Sequence, residues 1–88
     1  MKLHLVVKAK WFDMIKSGEK KEEYRKICLH WHQRIEKQII DSVVFHRGYT
    51  NVTHERECVR VRHGLGKPEW GAPEGLVIIL YLGKEIEQ

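Results

Sequence analysis

Residues 76–83 read LVIILYLG, a nearly all-apolar stretch close to the end of this 88-residue chain. A half-exposed strand alternates apolar with polar residues, whereas a continuous apolar run of this length is typical of a strand covered on both faces. We therefore expect residues 76–83 to form a central strand of a sheet, with other strands pairing on either side of it.

The rest of the chain contains further segments with the pattern of strands. The predicted strands are KLHLVVK (2–8), EKKEEYRKI (19–27), SVVFH (42–46) and THERECVRVRH (53–63). In the first of them Leu3, Leu5 and Val7 fall at alternate positions, which indicates one buried face. In the last, alternation puts Val59 and Val61 on one face and Cys58 on the other. The segment at 19–27 is rich in Lys and Glu, which are depleted in strands.

Two segments have apolar residues at helical spacing. Residues 10–18, KWFDMIKSG, predict a helix of two turns that ends at Gly18. Residues 28–40, CLHWHQRIEKQII, predict a second helix with one apolar stripe, formed by Cys28, Trp31, Ile35 and Ile39.

The order is therefore strand, helix, strand, helix and three strands, with a Gly- and Pro-containing loop before the last strand. This order predicts an α+β fold: a small mixed sheet of about five strands that curls into a partly closed barrel, with two short helices capping an opening. The length of the chain fits a single domain spanning residues 1–88.

Composition restricts the compartment and the partners. The longest apolar run is shorter than the roughly 18 residues that span a membrane, and the N-terminus lacks the pattern of a secretory signal, so we expect a cytoplasmic protein without membrane contact. The formal net charge of +4 favours an anionic partner such as nucleic acid or a nucleotide, or simply serves solubility.

Metal and cofactor motifs are missing from the sequence. Cys28 and Cys58 lie thirty residues apart and outside any CxxC pair, so reduced thiols are expected rather than a zinc site or a disulfide. The histidines show no metal-ligand spacing, and no phosphate-binding loop or dinucleotide fingerprint is present. We expect neither a metal nor a cofactor.

The charged stretch SGEKKEEYR at residues 17–25 is the main candidate site. On a regular strand Lys21, Glu23 and Arg25 share one face, where Glu23 and Arg25 could pair or jointly bind a polar ligand. Lys20 follows the break at Gly18 and can turn to either side. The alternative is a sheet edge protected by charge against aggregation.

The spacing within this stretch resembles the signature of a known family. Gly18, Lys20, Glu23 and Arg25 spell G-x-K-x-x-E-x-R, and a W-x-x-x-I-x-x-G helix leads into it. This combination resembles the ASCH family of small PUA-like β-barrels, and the similarity covers most of the chain. It implies an RNA- or modified-nucleoside-binding domain in which Lys20, Glu23 and Arg25 line a cleft beside the first helix, while Gly18 lets the backbone approach the ligand.

The same resemblance implies an alternative activity. Some ASCH proteins hydrolyse the amide of N4-acetylcytidine with a lysine, a threonine and a glutamate, and others cleave RNA. Lys20 aligns with that lysine, whereas Glu23 occupies the threonine position, and the glutamate would have to be Glu69 or Glu74. As a base or nucleophile Lys20 would need a lowered pKa. Because glutamates lie close to it, we expect Lys20 to stay charged, which favours binding.

The late loop at 64–75 supplies the remaining candidates. Trp70 could stack on a base or fold back onto the core, and Glu69 could be a site carboxylate or a surface charge. A third hypothesis is a small regulatory domain that binds a protein partner through this same surface.

Overall fold

The computed structural model describes residues 1–87, and within them five strands and two short helices form one unit. Its elements are β1 (Lys2–Val7), α1 (Ala9–Ser17), β2 (Glu22–Arg25), α2 (Leu29–Trp31), β3 (Ser42–Arg47), β4 (Thr53–Leu65) and β5 (Leu76–Ile86). A π-helical turn at His32–Glu36 continues α2, and a 3₁₀ turn at Pro68–Trp70 interrupts the loop before β5.

The strands form a single mixed sheet in the order β1-β3-β4-β5-β2. β1 runs parallel to β3, and the other neighbouring pairs are antiparallel. The sheet curls into a half-barrel whose two edges are β1 and β2. The predicted α+β class, with a small barrel-like sheet and two short helices, is confirmed.

The main core lies between the sheet and helix α1. It contains alternate residues of the strands, the inner face of the helix and one residue of the π-helical turn: Leu3, Leu5, Val7, Phe12, Ile15, Ile35, Val43, Phe45, Ile78 and Leu80. Strand β1 has the strict alternation of buried and exposed residues that its sequence predicts. Burial of this apolar surface is the main force that holds the curled sheet together.

Strand β5 is covered on both faces, as its sequence predicts. Ile78 and Leu80 belong to the main core, whereas Val77 and Ile79 pack with Tyr24 in a second, smaller cluster. β5 lies between β4 and β2 rather than at an edge. It extends to Ile86, three residues beyond the predicted end.

Helix α1 ends at Gly18, as predicted. Gly18 has a left-handed φ of 88° and its N–H donates to the carbonyl of Ile15, which closes the last turn. The Arg56 side chain from β4 donates to the carbonyl oxygens of Ile15 and Lys16 at 3.1 and 3.4 Å. These bonds attach the end of α1 to the sheet.

The predicted stripe on the second helix is wrong at its end. The regular α-helix covers Leu29–Trp31, and the π-helical turn that follows ends at Glu36. A π turn has more residues per turn than an α-helix, so the stripe loses its register after Ile35. Ile35 is buried, whereas Ile39 lies beyond the helix and is 85% exposed.

The predicted faces of β4 are also wrong. Its pairing with β5 shifts register between Arg56 and Cys58 and again between Cys58 and Arg60. Such a bulge interrupts the alternation of side chains. As a result Cys58 and Val61 both pack against the main core, while Val59 is 68% exposed.

Candidate functional site

An open cleft of about 410 Å³ lies where the half-barrel fails to close. We call the gap between the edge strands β1 and β2 the seam. The cleft is lined by the end of β1, the start of α1, strand β2, helix α2 and the loop at residues 66–73, which we call the rim loop. Arg25 on β2 and the carbonyl of Val6 on β1 make a long contact of 3.5 Å across the seam.

Aromatic side chains from different elements converge on this cleft. All three tryptophans of the chain line it, together with Tyr24: Trp11 from α1, Tyr24 from β2, Trp31 from α2 and Trp70 from the rim loop. Each tryptophan is only partly buried. The cleft therefore combines aromatic rings from four separate elements of the fold, of which the tryptophans are partly exposed.

Glu23 is the centre of a charged network beside these rings. Its Oε1 lies 3.0 Å from the Lys20 ammonium, and its Oε2 accepts a hydrogen bond of 2.8 Å from Arg25 Nη1. Arg25 Nη1 also donates to the carbonyl of Tyr24 at 2.7 Å. The alternation of β2 therefore places Glu23 and Arg25 together, as predicted.

Lys20 lies behind Glu23 rather than in the open cleft. Its side chain is 1% exposed, and its ammonium donates to Glu23 and, at 2.6 Å, to the carbonyl of Trp70. Burial lowers the pKa of Lys20 from its ordinary value, the Glu23 carboxylate opposes that change, and Arg25 adds to it. In this position Lys20 orients the carboxylate and holds the rim loop.

The guanidinium of Arg25 reaches the aromatic wall of the cleft, which is formed by Trp11, Tyr24, Trp31 and Trp70. It lies 5.2 Å from the centre of the Trp31 ring, within the range of a cation–π contact. Arg34 lies 5.1 Å from the same ring. The Arg25 side chain keeps 18% exposure, so it connects the buried Glu23 to the open part of the cleft.

The rim loop is held close to the cleft by hydrogen bonds and by glycines. Tyr24 Oη accepts from the backbone N–H of Lys67 at 3.0 Å. A Cβ at Gly66 would come within 2.7 Å of the Tyr24 ring, and one at Gly71 within 2.9 Å of the Trp11 ring. These close approaches bring Trp70 to the cleft.

The structure separates the predicted site residues into two groups. Glu23, Arg25 and Trp70 line the cleft, whereas Lys20 lies behind them, bonded to Glu23 and to the Trp70 carbonyl, so the expectation that Lys20 itself lines the cleft is wrong. Gly18, Lys20 and Lys21 line a separate depression beside Arg56 and Leu82. Regular alternation does not bring Lys21 to Glu23, because β2 begins only at Glu22.

The two loop carboxylates lie elsewhere. Glu69 is exposed on the 3₁₀ turn, outside the residues that line the cleft. Glu74 is exposed and lines a different depression, together with Leu65 and Gly75.

Several residues of the cleft are not predicted from the sequence. Trp31 is predicted only as part of a helical apolar stripe and Trp11 only as part of the helix at 10–18, and neither Lys8 nor Lys26 has a predicted role. The one available signal was that three tryptophans occur in so short a chain, since tryptophan is enriched at binding surfaces.

The structure contains neither a membrane-spanning helix nor a metal-binding cluster among the residues it describes. No helix among them is both long and apolar enough to cross a membrane. Within residues 1–87 no group of three or more His, Cys, Asp or Glu side chains could hold a metal ion.

Comparison with known proteins found no match: neither a protein-family profile nor a curated protein matches this chain.

Chemically, the cleft combines partly exposed tryptophan rings, each with a cation of the chain close to it, with one oriented acceptor and one forked donor. The carboxylate of Glu23 can accept from an amine and the guanidinium of Arg25 can donate to a carbonyl, while the rings contact an apolar plane. This combination fits a flat heterocycle with polar edges.

Proposed function

We propose that this chain is an ASCH-type, PUA-like domain that binds RNA or a modified nucleoside in the aromatic cleft. The observation that carries the proposal is that all three tryptophans and Tyr24 line the same cleft as the Glu23–Arg25 pair. Aromatic stacking supplies affinity for any base, and the polar pair supplies selectivity among bases.

The supporting geometry favours a preformed site. Lys20 and Arg25 engage both oxygens of Glu23, so the carboxylate needs little reorganisation when a ligand arrives. A preorganised site loses less affinity to side-chain ordering. Arg25 Nη2 makes only a long contact of 3.5 Å with the Val6 carbonyl across the seam, so it can donate to a ligand there.

Tryptophan fluorescence tests the proposal directly, because every tryptophan of the protein lines the cleft. Titration with a short single-stranded RNA and with a panel of ribonucleosides, including N4-acetylcytidine, should quench the emission. Trp70→Leu should weaken binding about tenfold or more, since stacking on one base contributes roughly 1–3 kcal/mol.

A matched arginine pair provides the control. Arg25→Ala should weaken binding, whereas Arg60→Ala should leave it unchanged. Arg60 also lies beside an aromatic ring, 5.8 Å from the centre of Tyr81, but it is outside the cleft lining. Equal effects of the two substitutions, or the lack of any quenching, would contradict the proposal.

A second candidate function is hydrolysis of a modified nucleoside, which one observation favours. Burial lowers the pKa of Lys20, as an amine base or nucleophile requires. Its ammonium is directed at Glu23 and the Trp70 carbonyl instead of the open cleft, and this arrangement favours binding. Release of acetate from N4-acetylcytidine by the wild type, lost in a folded Lys20→Ala variant, would establish the hydrolase instead.

A further inference from the structure

The charged residues that line the cleft indicate whether its ligand is neutral or anionic. Of the described residues, three cations and one carboxylate line it: Lys8, Arg25, Lys26 and Glu23. The carboxylate is already paired on both oxygens by Lys20 and Arg25. The network of Lys20, Glu23 and Arg25 therefore has a formal charge of +1, to which Lys8 and Lys26 add two further positive charges.

The two lysines flank the seam from opposite edges of the sheet. Lys8 directly follows β1, and Lys26 directly follows β2. Both are exposed, and neither forms an ion pair within the described part of the chain. Their ammonium groups lie at the ends of long flexible side chains and can reach a ligand that occupies the cleft between them.

An uncharged nucleoside makes no use of this excess of positive charge. Because the cleft is open and both lysines line it, a base that stacks on the rings leaves its sugar within reach of their exposed side chains. A phosphate on that sugar would meet ammonium groups that can donate to it from either side. In an open cleft such contacts are screened by water and salt, so they add selectivity rather than most of the affinity.

We infer that the cleft takes a nucleoside phosphate, with Lys8 and Lys26 holding the phosphate while the tryptophans stack the base. This inference rests on the proposed function and adds to it the ionic class of the ligand and two residues outside the charged motif. It also assigns a role to the cations that the seam brings together from distant parts of the sequence.

The experiment compares each ribonucleoside with its own 5′-monophosphate by tryptophan fluorescence at low salt. The monophosphate should bind about tenfold more tightly than the nucleoside, the combined effect expected of two weak ion pairs. The preference should fall to less than about threefold in the Lys8→Ala/Lys26→Ala variant and in the wild type near 1 M salt. A dinucleoside monophosphate as a third probe shows whether a free nucleotide or an RNA backbone supplies the phosphate.

Lys37→Ala is the matched control, because Lys37 is exposed and lies outside the cleft lining. It should leave the phosphate preference of the wild type unchanged. Equal affinity for nucleoside and monophosphate, or a preference that survives in the double variant, would overturn the inference while leaving base binding intact. Failure of both ligands to bind would instead overturn the proposed function.

Discussion

At the scale of single residues, the buried ammonium of Lys20 is the most consequential group in the molecule. It bonds to Glu23 and to the Trp70 carbonyl with almost no exposure to water. Lys20→Met keeps the length of the side chain but removes its charge and its donors. Because removing one partner of a buried ion pair costs about 3–5 kcal/mol, we expect the free energy of unfolding in urea to fall by about 3 kcal/mol.

A double-mutant cycle separates this effect from lost packing. In Lys20→Met the carboxylate of Glu23 loses one of its two cationic partners. Glu23→Gln removes the negative charge of that side chain, and the amide oxygen of glutamine can still accept a hydrogen bond from Arg25. The double variant should therefore be more stable than the sum of the two single losses predicts. Strictly additive losses would show that the Lys20–Glu23 pair is not coupled.

His54 gives a pH-dependent stability with a definite sign. It is buried, and its Nε2 accepts from Arg56 Nε at 3.0 Å, so its Nδ1 carries the proton that faces Glu85. Burial, with smaller contributions from Arg56 and Lys16, lowers the pKa of His54 below its ordinary value of 6.5, while Glu85 opposes the change. Below pH 6.5 the unfolded chain therefore binds a proton that the folded chain excludes.

We accordingly expect stability to fall as the pH drops below 6.5, until the folded-state pKa is passed. Urea unfolding between pH 7.5 and 5 measures this, and His54→Gln should remove its share of the dependence. The comparison with the wild type separates the contribution of His54 from that of every other ionisable group. Identical pH profiles of the two proteins would rule out His54 as a source.

At the scale of elements, two glycines of the loop before β5 form a natural pair for testing how the rim loop is held. Gly71 and Gly75 have nearly the same left-handed φ, 91° and 87°. A Cβ at Gly71 would meet the Trp11 ring at 2.9 Å, whereas one at Gly75 has nothing within 4 Å. Alanine at either position costs about 1–2 kcal/mol of backbone strain.

Only Gly71→Ala should add the cost of overpacking, about 1–3 kcal/mol, and disturb the cleft. We expect it to alter the tryptophan emission and to weaken ligand binding, whereas Gly75→Ala should lower stability without changing affinity. Thermal unfolding and the fluorescence titration measure the two properties separately. Equal losses of affinity would show that the contact between Gly71 and Trp11 does not position the rim loop.

The elements also show which parts of the fold the sequence could predict. Simple patterns were sufficient where they are unbroken, as in the alternation of β1 and the continuous apolar run at the start of β5. They failed where the periodicity changes inside an element, at the π-helical turn after Trp31 and at the bulge around Cys58. A prediction that assumes one periodicity through an element cannot locate such a change.

At the scale of the whole molecule, the site was only half predictable for a similar reason. Glu23 and Arg25 could be paired because they are neighbours on one strand. The aromatic wall could not be foreseen, since Trp11, Trp31 and Trp70 meet only when the sheet curls and leaves its two edges unjoined. The cleft is a consequence of an incomplete barrel, and no short segment specifies it.

Because the cleft lies between the edge strands of the half-barrel, a bound ligand should stabilise these edges. A ligand in the seam contacts β1 and β2, so it should suppress local opening of these edge strands more than opening of the interior. At a ligand concentration of 100 times Kd, amide hydrogen exchange at the seam should slow by up to about 100-fold, which corresponds to roughly 2.7 kcal/mol.

Hydrogen exchange resolved by NMR can locate this effect. The amides of residues 5–7 and 22–25 should gain protection, while those in the paired middle of β3, Val43–Phe45, should change little because that strand has a neighbour on each side. Slowing of equal size in all strands would mean that the seam opens only when the whole domain unfolds. Protection confined to β3 and β4 would place the ligand away from the cleft.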